Sequence, residues 1–218
     1  MNTYQLEATP RDVAGKKAAK AIRKEGLIPA ILYGQAPVET PYPGVLNPGE
    51  KIVAIENNKG IVVTDLVVTN EDVRNLIYTP SIYLIELTLK GGKTVKAIIK
   101  DIQFHPVTDA VLHIDFLEVF EGKPIVMEVP VVLEGHAEGV RSGGKLNLEM
   151  RKLRVKALYS QIPEKLVINV DTLGLGKVIK VGELQYDHLE LVNAKNAVVC
   201  SVKLTRAARG VIEAAASA

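Results

Sequence analysis

The sequence predicts a mainly β protein of two domains, and three observations support this prediction. Runs of β-branched and aromatic residues, each bounded by turn residues, recur along the whole chain. Helix signals are few, and the clearest is an alanine-rich basic stretch at 15–25. Glycine and proline at 120–124 interrupt the strand pattern. We therefore expect β-rich domains over 1–119 and 120–206, and a flexible tail over 207–218.

Length and composition limit the classes of protein. The chain has 218 residues, of which 47% are hydrophobic and 24% charged, as in ordinary globular proteins. No apolar run reaches the roughly 18 residues that a membrane-spanning helix needs, and the first residues lack the apolar core of a signal peptide. The single cysteine, Cys200, excludes an internal disulfide and is expected to be buried. These observations predict a cytoplasmic protein without a membrane partner.

The strand-like runs fall into two sets. The first half contains seven, namely YQLEA, LIPAILY, EKIVAIE, GIVVTDLVV, SIYLIELTL, TVKAIIKDIQF and VLHIDFLEVF. The second half contains five, namely PIVMEVPVVLEG, KLNLEMRKLRVKALY, KLVINVD, KVIKVGEL and AVVCSVKL. Within the first set, between GIVVTDLVV and SIYLIELTL, the stretch NEDVRNLIY predicts a short helix that Asn70 would cap.

The basic stretch at 15–25 predicts a helix that Gly26 ends. Residues 11–24 hold six cations against one anion, a local charge of 6 − 1 = +5, whereas the whole chain carries only +2. Helical spacing places four cations on one face and lets four apolar residues face the fold. The cations are Lys16, Lys20, Arg23 and Lys24, and the apolar residues are Ala18, Ala21, Ile22 and Leu27.

Neighbouring cations on this predicted helix repel one another, and a polyanion would turn that repulsion into attraction while releasing counterions. Alanine side chains would also let the backbone approach a ligand closely. We therefore favour a phosphate backbone as the partner. A solvated helix face and an acidic protein partner are the alternatives.

A second cluster of polar residues lies in KDIQFHPVTDAVLHIDF, residues 100–116. On a strand, His113 and Asp115 project to the same side because alternate residues share a face. The pair could serve base catalysis, but no nucleophile stands nearby. With His105 and Asp109 it could form a metal site. Hydrogen bonds to ribose hydroxyls or base edges, or a purely structural pair, are the other interpretations.

Two glycine-rich stretches resemble ligand loops without meeting their requirements. GVRSGGKL at 139–146 matches the phosphate-loop spacing, but Leu146 replaces the magnesium-binding hydroxyl and a strand pattern follows instead of a helix. We expect a flexible loop there. LGLGK at 173–177 predicts only a turn.

GKKAAKAIRKEGLIPAILYG followed by KDIQFHPVTDAVLHIDF resembles the bacterial large-subunit ribosomal protein L-twenty-five family, in its long CTC (general stress protein) form. The stretch from PVVLEG to KVIKVGEL is similar to the carboxyl-terminal domain of that form. The resemblance implies an amino-terminal β-barrel that binds 5S rRNA in the central protuberance of the 50S subunit. It also implies a protein that is not an enzyme and needs no cofactor.

Carried over by position, the RNA-binding residues that the resemblance implies are Arg11, Lys16, Lys20, Arg23, Tyr33, His113 and Asp115. Ala19 and Ala21 stand where family members commonly carry arginine or serine. The second domain could contact neighbouring rRNA or ribosomal proteins. The alternative function is a stress-related interaction module that binds another structured RNA or a protein.

Overall fold

The computed structural model describes residues 2–13, 15–39, 46–47, 49–54, 59–90 and 92–205. The chain divides into two compact units, Met1–Lys123 and Pro124–Ala218. The described elements of the first unit are β1 (Asn2–Pro10), α1 (Lys16–Lys24), β2 (Leu27–Glu39), β3 (Glu50–Ala54), β4 (Lys59–Thr69), α2 (Asn70–Ile77), β5 (Tyr83–Leu89), β6 (Thr94–Phe104) and β7 (Val111–Glu118). None of the described helices is long and apolar enough to span a membrane.

Six strands of the first unit close into a barrel in the order β1-β5-β6-β7-β2-β4. The ring closes where β1 pairs with β4 in antiparallel fashion, Thr9 opposite Val67 and Pro10 opposite Leu66. The pairs β1–β5 and β2–β7 are parallel, and β3 adds to β4 outside the ring. The mainly β fold and the amino-terminal barrel expected from the sequence are confirmed.

Alternation along the strands separates the barrel core from its outer surface. On β2, Ala30 and Leu32 are buried in the core, whereas the intervening Ile31 and the following Tyr33 are only partly buried. On β7, Ile114 and Phe116 are fully buried. Since successive side chains point to opposite faces, the polar residues that alternate with this apolar set on β7 lie on the outside of the barrel.

Helix α2 forms where the sequence predicts it, but its cap differs from the expected one. The N-cap residue is Thr69, whose hydroxyl oxygen accepts a hydrogen bond from the Asp72 amide at 3.3 Å, so the expectation that Asn70 caps the helix is wrong. Thr69 still has the extended backbone of β4, which is the conformation an N-cap residue needs. Val73 and Leu76 bury the apolar side of the helix.

The second unit is also β-rich. Its described elements are β8 (Ile125–Glu134), α3 (Glu138–Arg141), β9 (Lys145–Leu148), β10 (Lys152–Ala157), β11 (Leu166–Asn169), β12 (Val178–Lys180), β13 (Glu190–Leu191) and β14 (Val198–Lys203), with 3₁₀ turns at Tyr159–Gln161 and Val181–Glu183. They form one sheet in the order β11-β8-β10-β13 and another in the order β12-β14-β9. Cys200 on β14 is fully buried, as expected, and burial raises the pKa of its thiol.

The two glycine-rich stretches pack against each other. A Cβ on Gly139 would lie 2.6 Å from the Gly174 carbonyl carbon and the Leu175 nitrogen, and one on Gly144 would lie 2.6 Å from the Gly139 oxygen. Only hydrogen fits at such distances, so these glycines serve close backbone packing. The expected flexible loop at 139–146 is therefore wrong, because the stretch holds the α3 turn and the start of β9.

Candidate nucleic-acid interface

Helix α1 lies on the barrel without a buried side chain. Ala18, Ala19 and Ile22 are half-buried, whereas Ala21 is exposed, so the expectation that Ala21 faces the fold is wrong and Ala19 takes its place. The helix therefore touches the barrel along a narrow edge. Gly26 follows the C-cap residue with φ +76°, a conformation that glycine adopts without strain and that turns the chain into β2.

The charges of α1 are in no ion pair with the residues that the structure describes. Its first turn has no acidic residue. The positive charge of Lys16 in that turn interacts unfavourably with the positive end of the helix dipole. Lys20 lies four residues further on the same exposed face, where like charges destabilise a helix by a few tenths of a kcal/mol. Arg23 and Lys24 in the last turn are favourably placed. An anion bound near the amino-terminal end of α1 would offset both the repulsion between Lys16 and Lys20 and the unfavourable interaction of Lys16 with the helix dipole.

Arg23 connects the helix to the polar edge of the barrel. Its Nε donates a hydrogen bond to the Leu112 carbonyl oxygen on β7 at 3.0 Å. Leu112 is the neighbour of His113 in the sequence, so the bond brings α1 beside the histidine–aspartate pair. A helix of this length spans about 14 Å at 1.5 Å per residue, and the backbone positions of Lys16 and Lys20 therefore lie within that distance of Arg23.

His113 and Asp115 form a hydrogen-bonded pair on the outside of β7. His113 Nδ1 lies 2.7 Å from Asp115 Oδ1, and the side chains are 17% and 20% exposed. An ionised carboxylate only accepts, so Nδ1 carries the proton and Nε2 can accept when the ring is neutral or donate when it is charged. Asp115 thus fixes the ring orientation and its tautomer.

Tyr33 lies near this pair. Burial, and then the negative charges of Asp115 and Asp65, raise the pKa of Tyr33, so its phenol stays protonated and can donate a hydrogen bond. The Lys100 ammonium lies 5.2 Å from the centre of the Tyr33 ring, within the range of a cation–π interaction. Asp65 is itself bridged by Lys51 Nζ at 2.8 Å.

Sequence reasoning missed Lys100, Lys51 and Asp65. Asp65 had a recognisable signal, because it is a lone carboxylate within the apolar run GIVVTDLVV. Lys100 begins the motif that contains the histidines, but its position over Tyr33 depends on strand pairing that the sequence does not show.

We use the name helix–strand surface for Lys16, Lys20, Arg23, Tyr33, Lys100, His113 and Asp115.

Arg11 differs from the other sequence-predicted cations. It follows β1, and its amide donates to the Asp65 carbonyl oxygen at 2.9 Å. Its Nε and Nη1 are shielded from solvent and have no hydrogen-bond acceptor in the part of the chain that the structure describes. Arg11 therefore contacts Asp65 through its backbone, and two of its guanidinium nitrogens are not presented to solvent as the α1 cations are.

The metal interpretation of the second cluster finds no support among the described residues, where no group of three potential ligands could hold an ion. His105 instead serves its own turn, since its Nδ1 accepts from the Val107 and Thr108 amides at 3.3 Å. Asp109 in the same turn has φ 52°. The two histidines of the motif therefore have separate roles.

The barrel and the helix–strand surface define a class of protein, namely a β-barrel that presents a basic helix beside polar strand residues. The chain belongs to the ribosomal L25p family, whose model matches residues 6–47 and 46–116, and is thus a ribosomal protein. Residues 124–206 match a second model, described as the C-terminal domain of ribosomal protein TL5.

Full-length relatives agree with this assignment. The chain is 60% identical over 210 residues to large ribosomal subunit protein bL25 of Porphyromonas gingivalis, covering 96% of this chain and 97% of that protein. It is 56% identical over 215 residues to the protein of the same name from Parabacteroides distasonis, with 96% and 97% covered. The corresponding Bacteroides fragilis protein is 54% identical over 220 residues, with 99% of each chain covered.

Proposed function

We propose that this protein is a structural component of the large ribosomal subunit that binds 5S rRNA through the helix–strand surface. The observation that carries the proposal is the Arg23 to Leu112 hydrogen bond, because it joins the basic helix and the histidine–aspartate pair into one docking surface. The names of the full-length relatives support the assignment to the large subunit. In bacteria this subunit is cytoplasmic, and we place the protein in the central protuberance.

The residues of the surface divide between two tasks. Lys16, Lys20 and Arg23 bind phosphates, which fixes the orientation of the protein on the RNA without reading sequence. His113 Nε2 and the Tyr33 hydroxyl bind ribose hydroxyls or base edges, which are accessible in the wide minor groove of an RNA helix.

The protein acts by binding, with no catalytic step. The barrel domain over 1–119 carries this site, and the domain over 120–206 follows it in the chain.

The affinity for 5S rRNA should fall steeply with salt. Each phosphate that a helix cation neutralises should contribute roughly −0.7 to −0.9 to the slope of log affinity against log salt. If the three helix cations each neutralise one phosphate, the slope should be about −2 or steeper. Titration of the full chain with 5S rRNA at several salt concentrations measures this slope. A tRNA serves as the control, and equal affinity for both RNAs would contradict a specific 5S rRNA function.

His113 and Asp115 should act as one unit. His113→Ala and Asp115→Ala should each weaken 5S rRNA binding by about tenfold, since one polar interaction with RNA is worth about 1–3 kcal/mol. The double variant should lose no more than either single one, because Asp115 acts through the imidazole that it holds at 2.7 Å. Additive losses in this mutant cycle would show that the two side chains bind the RNA independently.

A further inference from the structure

A pocket of about 520 Å³ lies within the second domain, beside the α3 turn. Most of its lining surface is apolar, and its lining residues include three basic ones. The basic residues are His136, Arg141 and Lys145, and the apolar ones are Ala137, Val140 and Leu146. None of the lining residues is acidic. We name this cavity the second-domain pocket.

The backbone around the pocket is already occupied by internal hydrogen bonds. The Gly139 amide donates to the Leu173 carbonyl oxygen at 2.9 Å, and the Gly144 amide donates to the Gly139 oxygen at 2.8 Å. The Arg141 amide donates to the Ala137 oxygen at 3.3 Å. These amides therefore cannot cradle a phosphate as a phosphate loop does, and any anion must be held by side chains.

The basic side chains themselves are available. In the described part of the chain, Arg154, Lys156 and Lys203 of this domain are in ion pairs, with Glu128 at 3.3 Å, Glu190 at 3.0 Å and Glu149 at 2.8 Å respectively. The three basic side chains of the pocket form no such pair with described residues.

One carboxylate lies close behind the pocket wall. Asp171 Oδ1 accepts a hydrogen bond from the His136 amide at 2.7 Å, and this bond is the main reason why the pKa of Asp171 is lowered, with the charge of Arg141 contributing less. The bond fixes the carboxylate against Gly135, where a Cβ would overlap it. The negative charge of Asp171 therefore lowers the positive potential around Arg141, but Asp171 is not among the residues that line the pocket.

We propose that the second-domain pocket binds a phosphate of ribosomal RNA, so that this domain has an RNA-binding site of its own. The inference rests on the proposed place of the chain in the large subunit, where RNA supplies a high density of phosphates. Arg141 and Lys145 hold the phosphate, and the apolar floor packs against the adjoining ribose or base. This site shares no residue with the proposed 5S rRNA site of the barrel.

The test compares two double variants of the full chain, each of which removes two positive charges. Arg141→Gln with Lys145→Gln alters the pocket, whereas Lys152→Gln with Lys165→Gln alters exposed lysines outside it. Affinity for large subunits that lack this protein is measured across a salt series. The pocket variant should reduce the slope of log affinity against log salt by about 1, as expected when one phosphate is no longer neutralised, and the control variant should not. Equal slopes for the two variants would overturn the proposal.

A crosslinking measurement identifies the partner directly. Val140 is 43% exposed and lines the pocket, so a photoreactive phenylalanine derivative at this position should crosslink to rRNA in assembled subunits. A crosslink to a ribosomal protein, or none at all, would refute RNA binding by the pocket. Binding of both double variants to free 5S rRNA should be unchanged. This separates failure of the pocket proposal from failure of the proposed function, which would appear as absence of 5S rRNA specificity in the unaltered chain.

Discussion

Replacement of Lys16, Lys20 and Arg23 together by glutamate should reduce 5S rRNA affinity by at least about 100-fold. Each substitution removes a cation that binds a phosphate and adds a charge that repels the RNA. The salt slope should also fall by about 1 for each phosphate that is no longer neutralised. Binding of the triple variant to 5S rRNA in the salt titration measures both effects.

The fold should survive this triple change. The three side chains are exposed, and exposed charges contribute about 0–1 kcal/mol each. Removal of the Arg23 to Leu112 bond costs about 0.5–3 kcal/mol, and the favourable interaction of a glutamate in the first turn with the helix dipole offsets the unfavourable one of a glutamate in the last turn. A matched control replaces Arg74, Lys90 and Lys165 by glutamate, all exposed and outside the surface. If both triple variants bind equally weakly, long-range charge and not the helix governs binding.

Phe116→Ala should have the largest effect on stability. Phe116 is fully buried at the centre of the barrel, on β7 opposite Leu32 of β2 and Ile99 of β6. Its truncation should cost about 3–5 kcal/mol, which is a large part of the roughly 5–15 kcal/mol that stabilises a typical domain. We expect the melting temperature of the barrel to fall by about 10 °C or more, as measured by calorimetry on the full chain.

Phe116 also follows Asp115 directly, so loosening its strand should displace the pair that faces the RNA. Binding to 5S rRNA should therefore weaken even below the melting temperature. Val107→Ala is the control, because Val107 is 83% exposed and its truncation should change the free energy of unfolding by less than about 0.5 kcal/mol. A destabilisation below about 1 kcal/mol for Phe116→Ala would mean that the core around β7 can collapse to fill the space.

Much of the fold could be predicted because it depends on local pattern. Alternation of apolar residues marks the barrel strands and most strands of the second domain, and the basic helix is recognisable from its alanines and its terminal glycine. The predictions from sequence were wrong where a single residue determines the local structure. Thr69 caps α2 in place of Asn70 because it ends a strand, and Ala21 is exposed because α1 touches the barrel along a narrow edge.

The sequence by itself determined the family, the concentration of positive charge on one short helix, and the side-by-side placement of His113 and Asp115, since these depend on residue identity and on strand periodicity. Only the tertiary structure decided that Arg23 reaches β7, that Lys100 lies over Tyr33, and that the glycines of the second domain pack backbone against backbone. The physical reason is that these interactions join residues distant in sequence, and their distances follow from strand register and barrel closure, which local patterns do not specify.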